Sequence, residues 1–346
     1  MLPEISVVLT TYNQEKFIEK AIDSILNQSF NNFELIIVDD GSIDNTRRKI
    51  DQYSDSRIKK VFKQNEGPSS ASNVGITLAE GKWIALMSGD DISLPERLQV
   101  QYEFVNSFSY KICFGLPTII DGEGNIIPDE DFPVFFTKQP CLKGEVFKRL
   151  FEKGNYFCAP TAFFQKDILE EKDPFLLPSL QLQDFVCWLN LSKKYDMPII
   201  NKRLIKYRRH SNNISSKNND GRVAFEMRMI YENILDNMSW GQLHEIFPNQ
   251  FSVASMNDKN CFEIEKAFLL MKQSMKSIHE VGCEKIWDYL NDDAMRQILS
   301  IRYNFSCLDF FMETGKFNIT EENEKNDWVN CKLNLNNHNQ ETHSLA

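Results

Sequence analysis

The sequence predicts an α/β fold: a mostly parallel sheet flanked by helices, followed by an α-helical C-terminal region. Three observations predict it. Over residues 1–110, apolar strand patterns alternate with amphipathic helical ones across short connections, as in parallel strands joined by helical crossovers. The apolar runs end in small, polar or acidic residues, as in Trp83-Ile84-Ala85-Leu86-Met87-Ser88-Gly89-Asp90-Asp91. After about residue 221 the strand signal stops and helical periodicity takes over.

Taken in order, Ile5 to Thr10 reads as a first strand. Ile18, Ala21, Ile22, Ile25 and Leu26 then recur at helical spacing and define one apolar face. Phe33 to Val38 is a second strand that runs into Asp39-Asp40-Gly41-Ser42. Asp44 or Asn45 is placed to cap a helix reaching about Tyr53. Ile58 to Phe62 is a third strand, and a helix of small residues covers Ser69 to Ala79. The Trp83 strand follows, and a helix begins near Pro95, which suits a first helical turn.

Beyond residue 110, Ile112 to Phe114 and Thr118 to Ile127 read as strands around a Gly122–Gly124 turn. Lys143 to Phe151 is helical, Thr161 to Phe164 a strand, Asp184 to Leu191 a helix, and Pro198 to Tyr207 extended. Asn212 to Asp220 is a polar break. Helices are then expected at 222–237, 240–247, 261–279, 283–290 and 292–312, with a polar, frayed tail at 318–346. The implied division is an α/β part over 1–215 (halves 1–110 and 111–215), a helical region over 221–317, and the tail. Apolar faces on the late helices imply packing against the first part or a contact between copies of the chain.

Composition narrows the function. The net charge of −10 argues against nonspecific nucleic-acid binding as the main activity. No apolar run approaches the roughly 18 residues that cross a bilayer, and Met1-Leu2-Pro3-Glu4-Ile5 carries no basic leader. The expected location is therefore cytoplasmic, with peripheral membrane contact left open. The eight cysteines include no CxxC pair, so buried free thiols in a reducing compartment are expected over a zinc module or a disulfide framework.

Three strand exits carry the chemistry: Thr10-Thr11-Tyr12-Asn13, Asp39-Asp40-Gly41-Ser42 and Gly89-Asp90-Asp91. In a parallel sheet they lie on one edge, where open α/β sheets bind ligands. A flat Tyr can stack on a base, and a carboxylate can accept a base N–H or a ribose hydroxyl. Adjacent acids can hold a cation that neutralises a diphosphate. The set suits a nucleoside diphosphate. Neither GxGxxG after the first strand nor GxxxxGK[ST] is present, which argues against a dinucleotide enzyme or a P-loop ATPase.

These residues resemble a known family. Ser6 to Asn13, Phe33 to Ser42, Asn65-Glu66-Gly67, Ala71-Ser72-Asn73-Val74-Gly75, Gly81 to Ala85 and Asp90-Asp91 match, in order and spacing, a family 2 glycosyltransferase with the GT-A (Rossmann-like) fold. Two later islands, Gln183-Asp184 and Tyr207-Arg208-Arg209-His210, extend the match. The resemblance implies an inverting transferase that uses a nucleotide sugar, commonly a UDP-sugar, and a carbohydrate or lipid-linked sugar acceptor, as in surface-polysaccharide synthesis. It implies Thr10 and Tyr12 in the nucleotide pocket, Asp40 at the base edge, Asp90 against the ribose and Asp91 on the metal. It further implies Asp184 as the catalytic base and His210 near the metal or the diphosphate. Carboxylate and imidazole ligands suit Mn²⁺ or Mg²⁺. Three positions depart from the pattern: Ser88, where similar enzymes often carry an acid, Ser72, where they often carry Arg, and Gln183, where an acid is common.

Each residue also has a plainer reading. Asp184 could be an N-cap, Tyr12 a packed aromatic, His210 a solvated side chain, and Asp39 a cap for local backbone groups. Lys202, Arg203, Lys206, Arg208 and Arg209 could grip phosphates or an anionic surface, or form a solvated face. Two rival functions remain. A catalytically degenerate nucleotide-binding scaffold is consistent with Ser88 and Ser72. A sugar-nucleotide pyrophosphorylase would need a glycine-rich loop where Thr10-Thr11-Tyr12-Asn13 stands.

Overall fold

The computed structural model describes residues 2–128, 142–169, 173–211, 213 and 220–315. The first half follows from continuous apolar runs, which belong to strands covered on both faces. Strands β1 (Ile5–Thr11), β2 (Phe33–Asp39), β3 (Ile58–Phe62) and β4 (Trp83–Ser88) alternate with helices α1 (Ile18–Leu26), α2 (Thr46–Asp51) and α3 (Pro68–Leu78). The strands are parallel in the order β3-β2-β1-β4, with Thr10 level with both Val38 and Ser88. Ile5, Val7, Val8 and Leu9 are buried, and α1 covers the sheet with Ile18, Ala21, Ile22 and Ile25, the face its spacing predicts. Small residues let α3 lie close to the sheet. A Cβ on Gly75 would stand 2.3 Å from a methyl of Val8. Asn45 is the cap position of α2, but the side chain that does the capping belongs to Asp44, which accepts the Thr46 N–H at 2.9 Å.

The second half widens the sheet with β5 (Ile92–Ser93), α4 (Arg97–Phe108), β6 (Ile112–Ile120), α5 (Lys143–Lys153), β7 (Phe163–Gln165), α6 (Gln183–Ser192) and β8 (Ile199–Arg208). The order continues β4-β7-β6-β8-β5, with β7 antiparallel to β4 and β6 and β8 parallel to β6. The two strands expected over 112–127 are one strand, β6, whose register slips between Gly115 and Pro117, where proline has no N–H to donate. Asp121 then closes the turn by accepting from the N–H groups of Glu123, Gly124 and Asn125. The strand expected at 161–164 starts later, because residues 159–161 form a single 3₁₀ turn.

The remaining helices are α7 (Asp220–Asn233), α8 (Trp240–Ile246), α9 (Lys259–Met271), α10 (Lys276–Asn291), α11 (Asp293–Tyr303) and α12 (Cys307–Thr314). Two compact units result. One holds Met1–Ser252 and Gln273–Ile278, and thus α7 and α8; the other holds Val253–Lys272 and the chain from His279. The second unit has its own core, including Ile264, Ala267, Met271, Ile286, Leu299 and Phe310.

Two predicted helices break where periodicity alone would continue them. The one expected over 261–279 ends at Met271, and 283–290 belongs to the longer α10. Gly282 explains the close packing after the break, since its missing Cβ would stand 2.2 Å from the Met271 nitrogen. The one expected over 292–312 splits at Asn304, whose left-handed φ of 48° lets Phe305 N–H reach Leu299 O. Ser306 and Asp309 then cap α12 reciprocally.

Among the described residues no helix is long and apolar enough to cross a membrane. Cys113, Cys158, Cys187, Cys261 and Cys283 are buried thiols outside any disulfide, and Cys307 is an exposed one. The tail expected at 318–346 lies outside the described residues, as does most of the polar break at 212–220.

Candidate active site

Parallel register carries the exits of β1, β2 and β4 to one edge, and local hydrogen bonds fix the loops there. Asp40 N–H donates to Thr11 O, and Gly89 N–H donates to Thr10 O, both at 2.9 Å. Asn13, at a φ of 53°, donates its N–H to Ser42 Oγ and accepts the Ile43 N–H. A Cβ on Gly89 would stand 2.8 Å from Thr11 Oγ1, so only glycine lets the two exits approach this closely. Thr10 is half-buried at the end of β1. Tyr12 is 44% exposed, which rules out the packed-aromatic reading.

The two acids after β2 do different work. Asp39 accepts from the Ser42 N–H and hydroxyl, and burial raises its pKa against those bonds. Asp40 is buried; its Oδ1 accepts from Lys63 Nζ (2.7 Å) and Glu66 N–H (3.1 Å), and its Oδ2 from Gly67 N–H (2.8 Å). A carboxylate oxygen has two lone pairs, so Oδ2 retains acceptor capacity at the exit. This constellation ties Asp40 to the start of α3.

The acids after β4 also divide. Asp90 Oδ2 stands 3.1 Å from His210 Nε2 and accepts from Asn213 Nδ2 at 3.2 Å. Asp91 turns inward: Oδ1 accepts the Arg208 backbone N–H at 2.8 Å, and Oδ2 is buried with no hydrogen-bond partner. Burial first, and then the neighbouring Asp90 charge, hold the Asp91 carboxyl well above the ordinary range. Arg208 is neither a phosphate grip nor part of a solvated face. Its fully buried guanidinium donates to Asp90 O, Asp121 O and Gly122 O at 2.8, 2.9 and 3.1 Å, and it lies over the Phe17 ring. Phe17 also stacks on His210 with centroids 5.0 Å apart. Among the described residues no three His, Cys, Asp or Glu side chains converge as a metal cage. The residues that could hold a cation here are the Asp90–His210 pair, with Asp91 in the same turn.

Asp184 lies in the first turn of α6, yet it is not the cap. Leu182 occupies that position and makes no side-chain cap bond. Asp184 Oδ2 accepts from Asn155 Nδ2 (2.9 Å) and Trp188 Nε1 (3.0 Å), and burial outweighs both bonds and raises its pKa. Neither partner is one of the other expected site residues. Burial pushes the neighbouring Cys158 thiol well above its ordinary range, with Asp91 and Asp184 raising it further and Arg97 lowering it. Gln183, at the position where an acid is common, has a buried Oε1 without a partner.

The sequence did not single out Phe17, Lys63, Asn155, Asn213 or Glu226. Phe17 sits one position ahead of the α1 apolar face and so reads as core. The partnership of Lys63 with Asp40 joins elements 23 residues apart, and no local pattern encodes it.

Comparison with known proteins adds a family to this geometry. A family model described as Glycosyl transferase family 2 matches residues 6–172. The UDP-Glc:alpha-D-GlcNAc-diphosphoundecaprenol beta-1,3-glucosyltransferase WfgD of Escherichia coli is 30% identical over 215 residues, covering 61% of this chain and 79% of that protein. The putative teichuronic acid biosynthesis glycosyltransferase TuaG of Bacillus subtilis is 30% identical over 240 residues, covering 67% and 88%. The fold is similar to that of S. aureus TarS 1–349 in complex with UDP-GlcNAc (TM-score 0.58, 18% identity, 91% of this chain and 93% of that one). It is also similar to the mannosyltransferase PcManGT of Pyrobaculum calidifontis in complex with GDP-Man and Mn²⁺ (TM-score 0.53, 14% identity, 93% and 88%).

Proposed function

The chain belongs to glycosyl transferase family 2, and from that membership we propose an inverting transfer of a sugar from a nucleotide diphosphate, with a UDP-sugar as the preferred donor. The acceptor is proposed to be a carbohydrate or a lipid-linked sugar, the class named for the E. coli relative. A lipid-linked acceptor would bring the site to a membrane surface from outside the bilayer.

The observation that carries this reading is the 3.1 Å approach of His210 to Asp90, which joins the exit of β4 to the end of β8 beside the other two exits. Tyr12 offers an exposed ring for base stacking, and Thr10 lines the same edge. Asp40 retains capacity on Oδ2 for a base N–H. We assign the cation, Mn²⁺ or Mg²⁺, to Asp90 and His210, with Asp91 as the reserve carboxylate whose buried Oδ2 has no other partner. This changes the division expected from the sequence, in which Asp90 met the ribose and Asp91 the metal. Bound there, a divalent cation neutralises the charge that develops on the departing diphosphate. Asp90 and His210 would be the two side chains that hold the cation, leaving it open to the diphosphate.

Asp184 is proposed as the base. Its Oδ2 is fixed by Asn155 and Trp188, so the carboxylate is oriented before the acceptor arrives. A hydroxyl hydrogen-bonded to it loses its proton as the oxygen attacks the anomeric carbon. A single base opposite the leaving group gives inversion. The test is hydrolysis of a panel of nucleotide sugars with and without Mn²⁺. Metal-dependent turnover of at least one UDP-sugar supports the reading. Metal-dependent UDP binding without turnover of any donor would leave a scaffold instead.

A further inference from the structure

The helix that carries Asp184 has no cap of its own. Leu182 at its N-cap offers no acceptor side chain, and the N–H groups of the segment that leads into α6 find theirs elsewhere. Glu226 of α7 supplies the acceptor. Its buried carboxylate accepts from Leu180 N–H (2.9 Å), Gln181 N–H (3.0 Å), Leu182 N–H (2.8 Å) and Ser179 Oγ (2.8 Å). Three successive N–H groups aimed at one point form an anion nest. Here the anion is a side chain 44 residues along the chain from Leu182.

Ser239, Asp258, Asp292 and Ser306 cap α8, α9, α11 and α12 with their own side chains, whereas α6, like α1, α3, α4 and α5, has no side-chain cap. A serine or aspartate at 182 would accept from N–H groups inside α6 and could not take up those of residues 180–182. A distant buried carboxylate is a costlier solution in desolvation, and it achieves something a local cap does not. It fixes the approach to α6 against α7. The same segment is fastened to α3, where Asn73 exchanges two hydrogen bonds with the Phe175 backbone (2.8 and 3.1 Å) and Ser69 Oγ donates to Ser179 O. The two attachments hold the residues that lead directly into Asp184.

We infer that Glu226 is a positioning residue that sets where Asp184 stands relative to the reacting acceptor, by gripping residues 179–182. The inference rests on Asp184 as the base. Glu226→Gln keeps the volume but removes the charge and turns one acceptor into a donor facing the same N–H groups.

In the full chain, with Mn²⁺, the variant should bind UDP as the wild type does. For the fastest donor among UDP-glucose, UDP-N-acetylglucosamine and GDP-mannose, kcat for hydrolysis should fall by up to roughly 100-fold while the donor KM holds. Hydrogen exchange at the amides of residues 180–182 should accelerate. A purely structural role would reduce the amount of UDP-binding protein and leave kcat per UDP-binding site unchanged, which would overturn the inference. Unaltered amide protection would overturn it too. Ser179→Ala, a milder change at the same carboxylate, should give a smaller fall of the same kind, and an unchanged kcat there together with a non-folding Glu226→Gln counts against the inference. Asp184→Asn runs in parallel: wild-type turnover in that variant removes the base assignment, whatever Glu226→Gln does.

Discussion

Asp184 has its pKa raised because burial outweighs the two hydrogen bonds that favour its charged form. With Asp184 as the proposed base, which works only when deprotonated, turnover should fall on the acid side as pH drops through that raised value, above the ordinary aspartate value of about 3.9. Trp188→Phe deletes the Nε1–H donor to the carboxylate, and the acid limb of the kcat profile should then move to higher pH. A limb that stays in place or moves lower would separate the kinetics from Asp184. The two acids after β4 give a second prediction. Asp90→Asn should reduce the Mn²⁺-dependent gain in UDP affinity by roughly 10- to 100-fold. Asp91→Asn should leave most of that gain, because its side-chain oxygen can still accept the Arg208 N–H. In metal-free protein, the raised pKa of Asp91 means its contribution to folding is present below the unfolded value and is lost as pH rises through the folded one. The Asn variant should therefore show a higher Tm at neutral pH, measured without metal. Equal loss of metal-dependent binding in both variants would return the cation to the pair of acids.

Among the elements, close approaches matter more than propensities. Alanine exceeds glycine in helix propensity by roughly 1 kcal/mol, so Gly282→Ala would be stabilising in an isolated α10. In the folded chain the new methyl would stand 2.2 Å from the Met271 nitrogen, an atom that cannot turn aside. The expected result is a net loss of about 1–3 kcal/mol, read by denaturant unfolding of the second compact unit. A neutral or positive change would show that α10 can shift away from the end of α9. Arg208 acts on the same scale at the site. One guanidinium holds the end of β8, the exit of β4 and the turn after β6, and it thereby sets the position of His210 two residues on. Lysine lacks the planar fork this requires.

For the whole molecule, the division of labour predicts linked binding. If Asp90 and His210 hold the cation together with the diphosphate, as proposed, Mn²⁺ and UDP should each tighten the other's binding by the same factor. Calorimetric titration of UDP with and without Mn²⁺, and of Mn²⁺ with and without UDP, measures both factors. Mn²⁺ binding that is equally tight without nucleotide would require a cage beyond this pair.

The sequence by itself determined the first four long strands, the α1 face and the three polar exits. These depend on residues a few positions apart, and a side chain's direction repeats every two residues in a strand and every 3.6 in a helix. Parallel pairing then placed Thr10, Asp40 and Asp90 along one edge without further information. Tertiary structure decided what each carboxylate faces. Asp90 meets His210 across 120 positions, Asp91 meets Arg208 across 117, and Glu226 reaches back to the approach of α6. Helix ends at Met271 and Asn304 were decided there too, by close packing at Gly282 and by a left-handed residue that periodicity does not register. The physical reason is common to these cases. A charged group in the interior takes the orientation that satisfies its hydrogen bonds, and the donors that satisfy it come from whichever segments the fold brings near.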